Sequence, residues 1–264
     1  MLIVGNFGNL RFKQINDLIV NRKMDEIKSL LKEQVQLGVH YLNTGQLDLS
    51  SGNMENVKWF LHAAQEEAEI PLFINNPSPE TLDQVLSLCN HGQPILNLVL
   101  AERKHLPEFL PFIKKYNAKV VGLLMPDDTP PESARQRIEA ARMIVGALRE
   151  EGVAEKDIYL DPFIKPICNN TRAGVEVLEA IRSIKQQFTE VNFICSISNI
   201  SFGLPNSKLI DQTFLIQLMT AGMNAFILDP LEKDLRTAFF ISRMLLGQDA
   251  FCREYLTAHW QGMI

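Results

Sequence analysis

A chain of 264 residues, 46% hydrophobic and 22% charged, is long enough to bury one large core or two smaller ones. Its formal net charge of −5 at pH 7 argues against a general nucleic-acid binder, because phosphate binding needs a concentrated basic surface. The four cysteines, Cys89, Cys168, Cys195 and Cys252, have no paired spacing; buried small hydrophobes are expected for most of them, not a zinc site or a disulfide scaffold.

The amino terminus, Met1-Leu-Ile-Val-Gly-Asn, carries no basic region followed by a long apolar stretch. The expectation is a cytoplasmic protein with neither signal peptide nor membrane anchor. From there short aliphatic segments alternate with helical patterns. Leu2 to Val4 reads as a strand, Asp25 to Gly38 as a helix, Tyr41 to Asn43 as a strand and Asn56 to Glu69 as a helix. Leu72 to Ile74, Pro79 to Cys89, Ile95 to Leu98 and His105 to Tyr116 repeat the pair twice. Val120 to Leu124 is followed by the clearest helix, Pro130 to Glu151, in which Ala134, Ile138, Ala141, Val145 and Leu148 form one apolar stripe. Thr129-Pro-Pro-Glu132 offers a cap for that helix and Gly152 a stop. Ile158 to Leu160, Arg172 to Gln187, Phe193 to Ile197, Lys208 to Ala221, Phe226 to Leu228 and Leu231 to Leu246 complete the alternation. The tail through Trp260 is expected to pack on the bottom or side of the fold.

Short aliphatic strands are what a parallel sheet covered on both faces requires. Eight of them alternating with helices predict a (β/α)8 TIM barrel, and no linker, low-complexity run or repeat divides residues 1–264 into more than a single domain. The active site of such a barrel lies where strands end and the following loops begin. The polar residues at those ends are Asn6 and Asn9, Asn43 and Gln46, Asn75 and Asn76, Asn97 and Glu102, Asp127 and Asp128, Asp161 and Lys165, Ser198, Asn199 and Ser201, and Asp229. The preponderance of asparagine is informative, because a carboxamide sets a donor beside an acceptor and suits a heterocycle with alternating ring nitrogens, amino and carbonyl groups. Clustered metal ligands and a glycine-rich phosphate loop are absent from the sequence, and the five histidines fall on or beside predicted helices. The stretch Phe193 to Pro205 delivers Ser198 and Asn199 from a buried strand into this region, with Gly203 and Pro205 ending regular structure. Lys165 offers a rival chemistry, a Schiff base as in barrel aldolases.

Ser198-Asn199-Ile-Ser-Phe-Gly-Leu-Pro205, Tyr159-Leu-Asp-Pro162 and Leu96-Asn97 with Ala101-Glu102 resemble the pterin-binding barrels and, within them, the methyltetrahydrofolate–corrinoid protein methyltransferases. Gly122-Leu-Leu-Met125 and Ile210-Asp-Gln-Thr-Phe214 add to the resemblance, which runs along essentially the whole chain. It implies tetrahydrofolate or methyltetrahydrofolate as substrate, a cobalamin carried by a corrinoid protein partner, and a homodimer. It further implies that Asn97, Asp161, Asn75, Ser198, Asn9 and Gly122 contact the pterin and that Asn199 reaches the N5 that holds the methyl group. The expected activity is methyl transfer between N5 and cobalt, as in the second transferase of an O-demethylation system; a non-catalytic pterin- or corrinoid-protein-binding barrel is the alternative. This chain departs from the family pattern at Asn6-Phe-Gly-Asn9, where members carry Glu-Arg-Ile-Asn, at Asn43-Thr44-Gly45, where they carry Asp-x-Asn, and at Asn75, where they carry an aspartate.

Overall fold

In the computed structural model, which describes residues 1–6, 17–45, 47, 54–75, 78–98, 106–126 and 129–264, the aliphatic segments pair edge to edge into a closed barrel. In chain order the elements are β1 (Leu2–Gly5), α1 (Met24–Gln36), β2 (Tyr41–Asn43), α2 (Met54–Glu67), β3 (Leu72–Asn75), α3 (Pro79–Leu86), β4 (Ile95–Leu98) and α4 (Leu106–Lys115). They continue with β5 (Lys119–Leu123), α5 (Ala134–Glu150), β6 (Ile158–Asp161), α6 (Ala173–Gln187), β7 (Asn192–Ser196), α7 (Ser207–Ala221), β8 (Ala225–Leu228), α8 (Lys233–Leu245) and α9 (Arg253–Trp260). Each strand is parallel to its neighbours, and β1 closes the ring on β8 from Leu2↔Ala225 to Gly5↔Leu228. The chain is a (β/α)8 barrel.

Alternation along each strand divides the apolar residues between two cores. Val4, Tyr41, Phe73, Ile95, Val121, Tyr159, Ile194 and Ala225 point inward and fill the barrel. Their neighbours, such as Leu42, Ile74, Leu96, Val120, Leu160 and Phe193, point outward beneath the helices. Lys119 enters the barrel from the amino-terminal end of β5, where its Nζ donates to the Tyr41 hydroxyl at 3.1 Å and that hydroxyl donates to the Gln93 carbonyl. Burial pushes Tyr41 up to about 12, so the phenol stays protonated and the plug stays intact.

Several boundaries differ from the expected ones for physical reasons. Helix α5 begins at Ala134, not Pro130, and its cap is Ser133: the hydroxyl accepts the Gln136 N–H at 3.3 Å while Gln136 Oε1 accepts the Ser133 N–H at 3.1 Å. A residue before proline is driven to extended backbone, so Thr129-Pro130-Pro131 cannot open a helix. The expected stripe of α5 does face the core, with Ala141, Val145 and Leu148 buried and Ala134 and Ile138 half-buried against it, but the buried face is wider and also takes in Arg137, Ala140, Ile144 and Ala147. Ile197 leaves the β7 ladder and starts a 3-10 turn, Ile197–Asn199. Of the cysteines only Cys195 is fully buried; Cys89 and Cys252 are half-buried and Cys168 is exposed. The tail packs beside α8, where Arg236 holds the Met263 carbonyl, and Trp260 itself is exposed.

Candidate active site

A step of two residues along a strand keeps a side chain inside the barrel. From the inner layer that step runs from Tyr41 to Asn43, Phe73 to Asn75, Ile95 to Asn97, Tyr159 to Asp161 and Ile194 to Ser196. Period-two geometry therefore brings the expected polar residues of β2, β3, β4 and β6 together at the carboxyl mouth. Register sets Asn75 opposite Asn97, and Leu123 opposite Asp161.

The two asparagines are joined: Asn97 Nδ2 donates to Asn75 Oδ1 at 2.5 Å. Asn75 is left with its NH2 group and Asn97 with its carbonyl oxygen, one donor and one acceptor for a ligand. Buried Thr44 fixes the end of β3 beneath them, its hydroxyl donating to the Phe73 carbonyl and accepting the Asn75 N–H, both at 3.3 Å. Asn43 Oδ1 accepts the Gly45 N–H at 2.8 Å. A Cβ on Gly45 would stand 3.0 Å from both Asn43 Oδ1 and Asn75 Nδ2, so a glycine permits this close approach.

Asp161 ends β6, and its Oδ1 accepts the Phe163 N–H at 2.9 Å. Burial drives its carboxyl up from 3.8 to about 6, against the downward pull of that N–H and of the Arg137 charge. Phe163 adopts φ 53, a left-handed conformation that costs a non-glycine residue about 1–3 kcal/mol and turns the chain sharply after Pro162. Behind the turn lies Arg137 of α5, only 1% exposed. Its Nε donates to the Pro162 carbonyl at 2.7 Å, one terminal nitrogen to the Phe163 carbonyl at 3.1 Å and the other to the Ser133 carbonyl at 3.1 Å. Burial lowers this guanidinium to about 10, which still leaves it a cation at neutral pH; Glu176, Glu132 and Asp161 oppose the shift. Sequence reasoning passed Arg137 over. The available signal was its place on the face of α5 shared with Ala141, Ile144 and Leu148, where an arginine must find partners for every N–H it buries.

Asn199 closes the 3-10 turn after β7 and is exposed at the rim. Among the described residues its carboxamide has no hydrogen-bond partner. Ser198 is also exposed, its hydroxyl 3.4 Å from that of Ser196. Both serines line a cleft of about 260 Å³ with Asn6, Asp211 and Asp229, between β7, β8 and the start of α7. Gly122 does not join these groups. It faces outward, where a Cβ would lie 2.7 Å from Ile144 Cγ2, so the structure gives this glycine a role in seating α5 on the barrel. Lys165 is ion-paired with Glu132, which also accepts from Asn170 Nδ2 at 3.0 Å. The amine that a Schiff base would need is thus engaged by a carboxylate at the rim of the loop. Asn9, Gln46, Asn76, Glu102, Asp127 and Asp128 lie outside the described residues. Among the described residues no group of His, Cys, Asp and Glu is placed to hold a metal ion, and no helix is long and apolar enough to cross a membrane.

The mouth of this barrel gathers carboxamides and one half-buried carboxylate. The sequence profile described as pterin binding enzyme matches residues 16–229, and the chain belongs to that family. It is 27% identical over 266 residues to the methylcorrinoid:tetrahydrofolate methyltransferase of Eubacterium limosum, with 100% of this chain and 98% of that protein covered. It is 22% identical over 240 residues to the methionine synthase of Mycobacterium tuberculosis, covering 86% of this chain and 20% of that much longer protein. Among solved structures, the dihydropteroate synthase of Xanthomonas albilineans in complex with 7,8-dihydropteroate superposes with a TM-score of 0.64 at 14% identity, over 93% of this chain and 92% of that one. This last likeness is one of fold.

Proposed function

We propose that this protein is a methyltransferase that moves a methyl group from the cobalt of a methylated corrinoid protein to N5 of tetrahydrofolate. The observation that carries the reading is end-to-end similarity to a methylcorrinoid:tetrahydrofolate methyltransferase, in a chain whose barrel mouth holds Asn75, Asn97 and Asp161 together. Asp161 accepts paired hydrogen bonds from the ring N–H and amino group of the pterin, while Asn97 offers its carbonyl and Asn75 its NH2 group. The family's aspartate at this last position would offer only acceptors, so this chain holds the ring with a changed donor pattern.

The transfer is a displacement at carbon. The N5 lone pair forms the new N–C bond, the Co–C bond breaks, its electron pair stays on cobalt as cobalt(I), and the N5 proton passes to solvent. Asn199 at the rim orients N5 in this direction; in the reverse direction it donates to the electron pair that develops on N5. Holding two bulky cofactors in line supplies much of the remaining acceleration. The proposed setting is a cytoplasmic homodimer that leaves each barrel mouth open to the corrinoid protein, in the role of second transferase of a demethylation system.

Mass spectrometry of the folate after incubation with a methylated corrinoid protein tests the reaction. N5-methyltetrahydrofolate is the expected product, and tetrahydrofolate that binds but returns unchanged makes the protein a non-catalytic binder. Borohydride in the presence of carbonyl substrates should leave Lys165 unmodified; a trapped adduct there would support the aldolase reading instead.

A further inference from the structure

We propose that Arg137 is the positioning residue for Asp161: by clamping the loop after β6 from behind, it holds the carboxylate in the barrel mouth where the pterin is bound. The inference rests on the reading of Asp161 as a pterin contact. Its basis is a chain of contacts with no slack. Asp161 is tied to Phe163 through the Phe163 N–H, and Phe163 and Pro162 are tied to Arg137 through both their carbonyls. The third donor of the fork anchors to Ser133, the cap of α5, so the helix end and the loop move as one body.

Only a planar fork of several donors reaches carbonyls on two segments at once, which a lysine's point charge cannot do. The left-handed Phe163 needs such external support, since nothing in its own chemistry favours that conformation. Charge works in the same direction. Among the described residues Arg137 is the cation beside Asp161, and the other ionisable groups linked to the pair are Glu176 of α6, Glu132 with its partner Lys165, and the buried Cys195 thiol of β7. Without the guanidinium, Asp161 loses its positive neighbour and, as the turn relaxes, the N–H that Phe163 donates.

The test uses the full-length protein labelled with 13C at the aspartate carboxyls, Asp161 being assigned by its absence from Asp161→Asn. In Arg137→Met the Asp161 titration moves to higher pH, tetrahydrofolate binds at least tenfold more weakly, and the transfer rate at saturating tetrahydrofolate stays within threefold of wild type. Arg137→Lys keeps the charge and loses the clamp, so the Phe163 amide proton resonance shifts and tetrahydrofolate binding falls at least threefold. If Arg137→Met fails to fold, the lysine variant decides alone. An unmoved Asp161 titration in folded Arg137→Met, or an unshifted Phe163 amide with full tetrahydrofolate affinity in Arg137→Lys, overturns the proposal. A titration that moves while tetrahydrofolate binding stays unchanged upholds the coupling of the two residues and overturns Asp161 as the pterin contact.

Discussion

Asp161→Asn should make the free protein more stable and a poorer binder of folate. Asparagine has the shape of aspartate and keeps Oδ1 for the Phe163 N–H, but it has no charged form to desolvate. In the folded protein Asp161 titrates near 6 instead of 3.8. Between those values the folded state holds more protons than the unfolded one, so this group lowers stability as pH rises and its full cost is present above pH ~7. At about 1.4 kcal/mol per pH unit the cost is on the order of 3 kcal/mol. For a chain of this size roughly 2 °C follows each kcal/mol, so Asp161→Asn should melt about 5 °C higher at pH 8 and level with wild type at pH 4. Circular dichroism melts at both values measure the stability, and calorimetry at pH 8 measures the binding. Losing charge-assisted hydrogen bonds worth about 1.5–3 kcal/mol weakens tetrahydrofolate binding roughly 10- to 150-fold. A melting difference that is the same at both pH values, or one of opposite sign at pH 8, would refute the reasoning about burial; unchanged affinity would refute the role in binding.

Asn199→Ala should lower the methyl-transfer rate about 10²- to 10³-fold from the methyl-folate side, where its donation strengthens as charge develops on N5, with folate affinity within threefold; rapid-mixing kinetics separate the two, and lost affinity with an intact rate contradicts the assignment. Gly122→Ala puts a Cβ 2.7 Å from Ile144 Cγ2 and should cost about 1–3 kcal/mol in urea unfolding, relieved by a companion Ile144→Ala; an unchanged midpoint argues against the packing role. Thr44→Val leaves the Asn75 N–H without its acceptor, for a loss of about 1–3 kcal/mol and a weaker grip on the pterin, and a variant as stable as wild type would show that the Thr44 contact is dispensable.

The barrel was legible because its strands are buried on both faces and so read as short, mostly apolar runs, such as Leu2–Gly5 and Ala225–Leu228. Asn75, Asn97 and Asp161 were legible as mouth residues for a related reason, since each follows an inward-facing large residue by one alternation. Contacts between remote segments were not. Arg137 meets its Pro162 carbonyl from 25 residues away, and a charged residue in a predicted amphipathic helix reads by default as solvated. Thr129 and Glu132 show the converse error: together they read as the capping pair of α5, yet Glu132 pairs with Lys165, because two prolines delay the helix and leave the cap to Ser133. Gly122 carried a family likeness whose physical cause in this chain, the close seat of Ile144, became visible only once α5 was placed.

Whether this mouth performs methyl transfer is tested most directly at the cobalt. Tetrahydrofolate and a methylated corrinoid protein are mixed with catalytic amounts of this protein, and the corrinoid spectrum is followed under reducing, anaerobic conditions. Cobalt(I) should appear at a rate proportional to the protein added, with one equivalent of N5-methyltetrahydrofolate formed for each. Persistence of methyl-cobalt(III) across several corrinoid partners, with tetrahydrofolate bound, would contradict it.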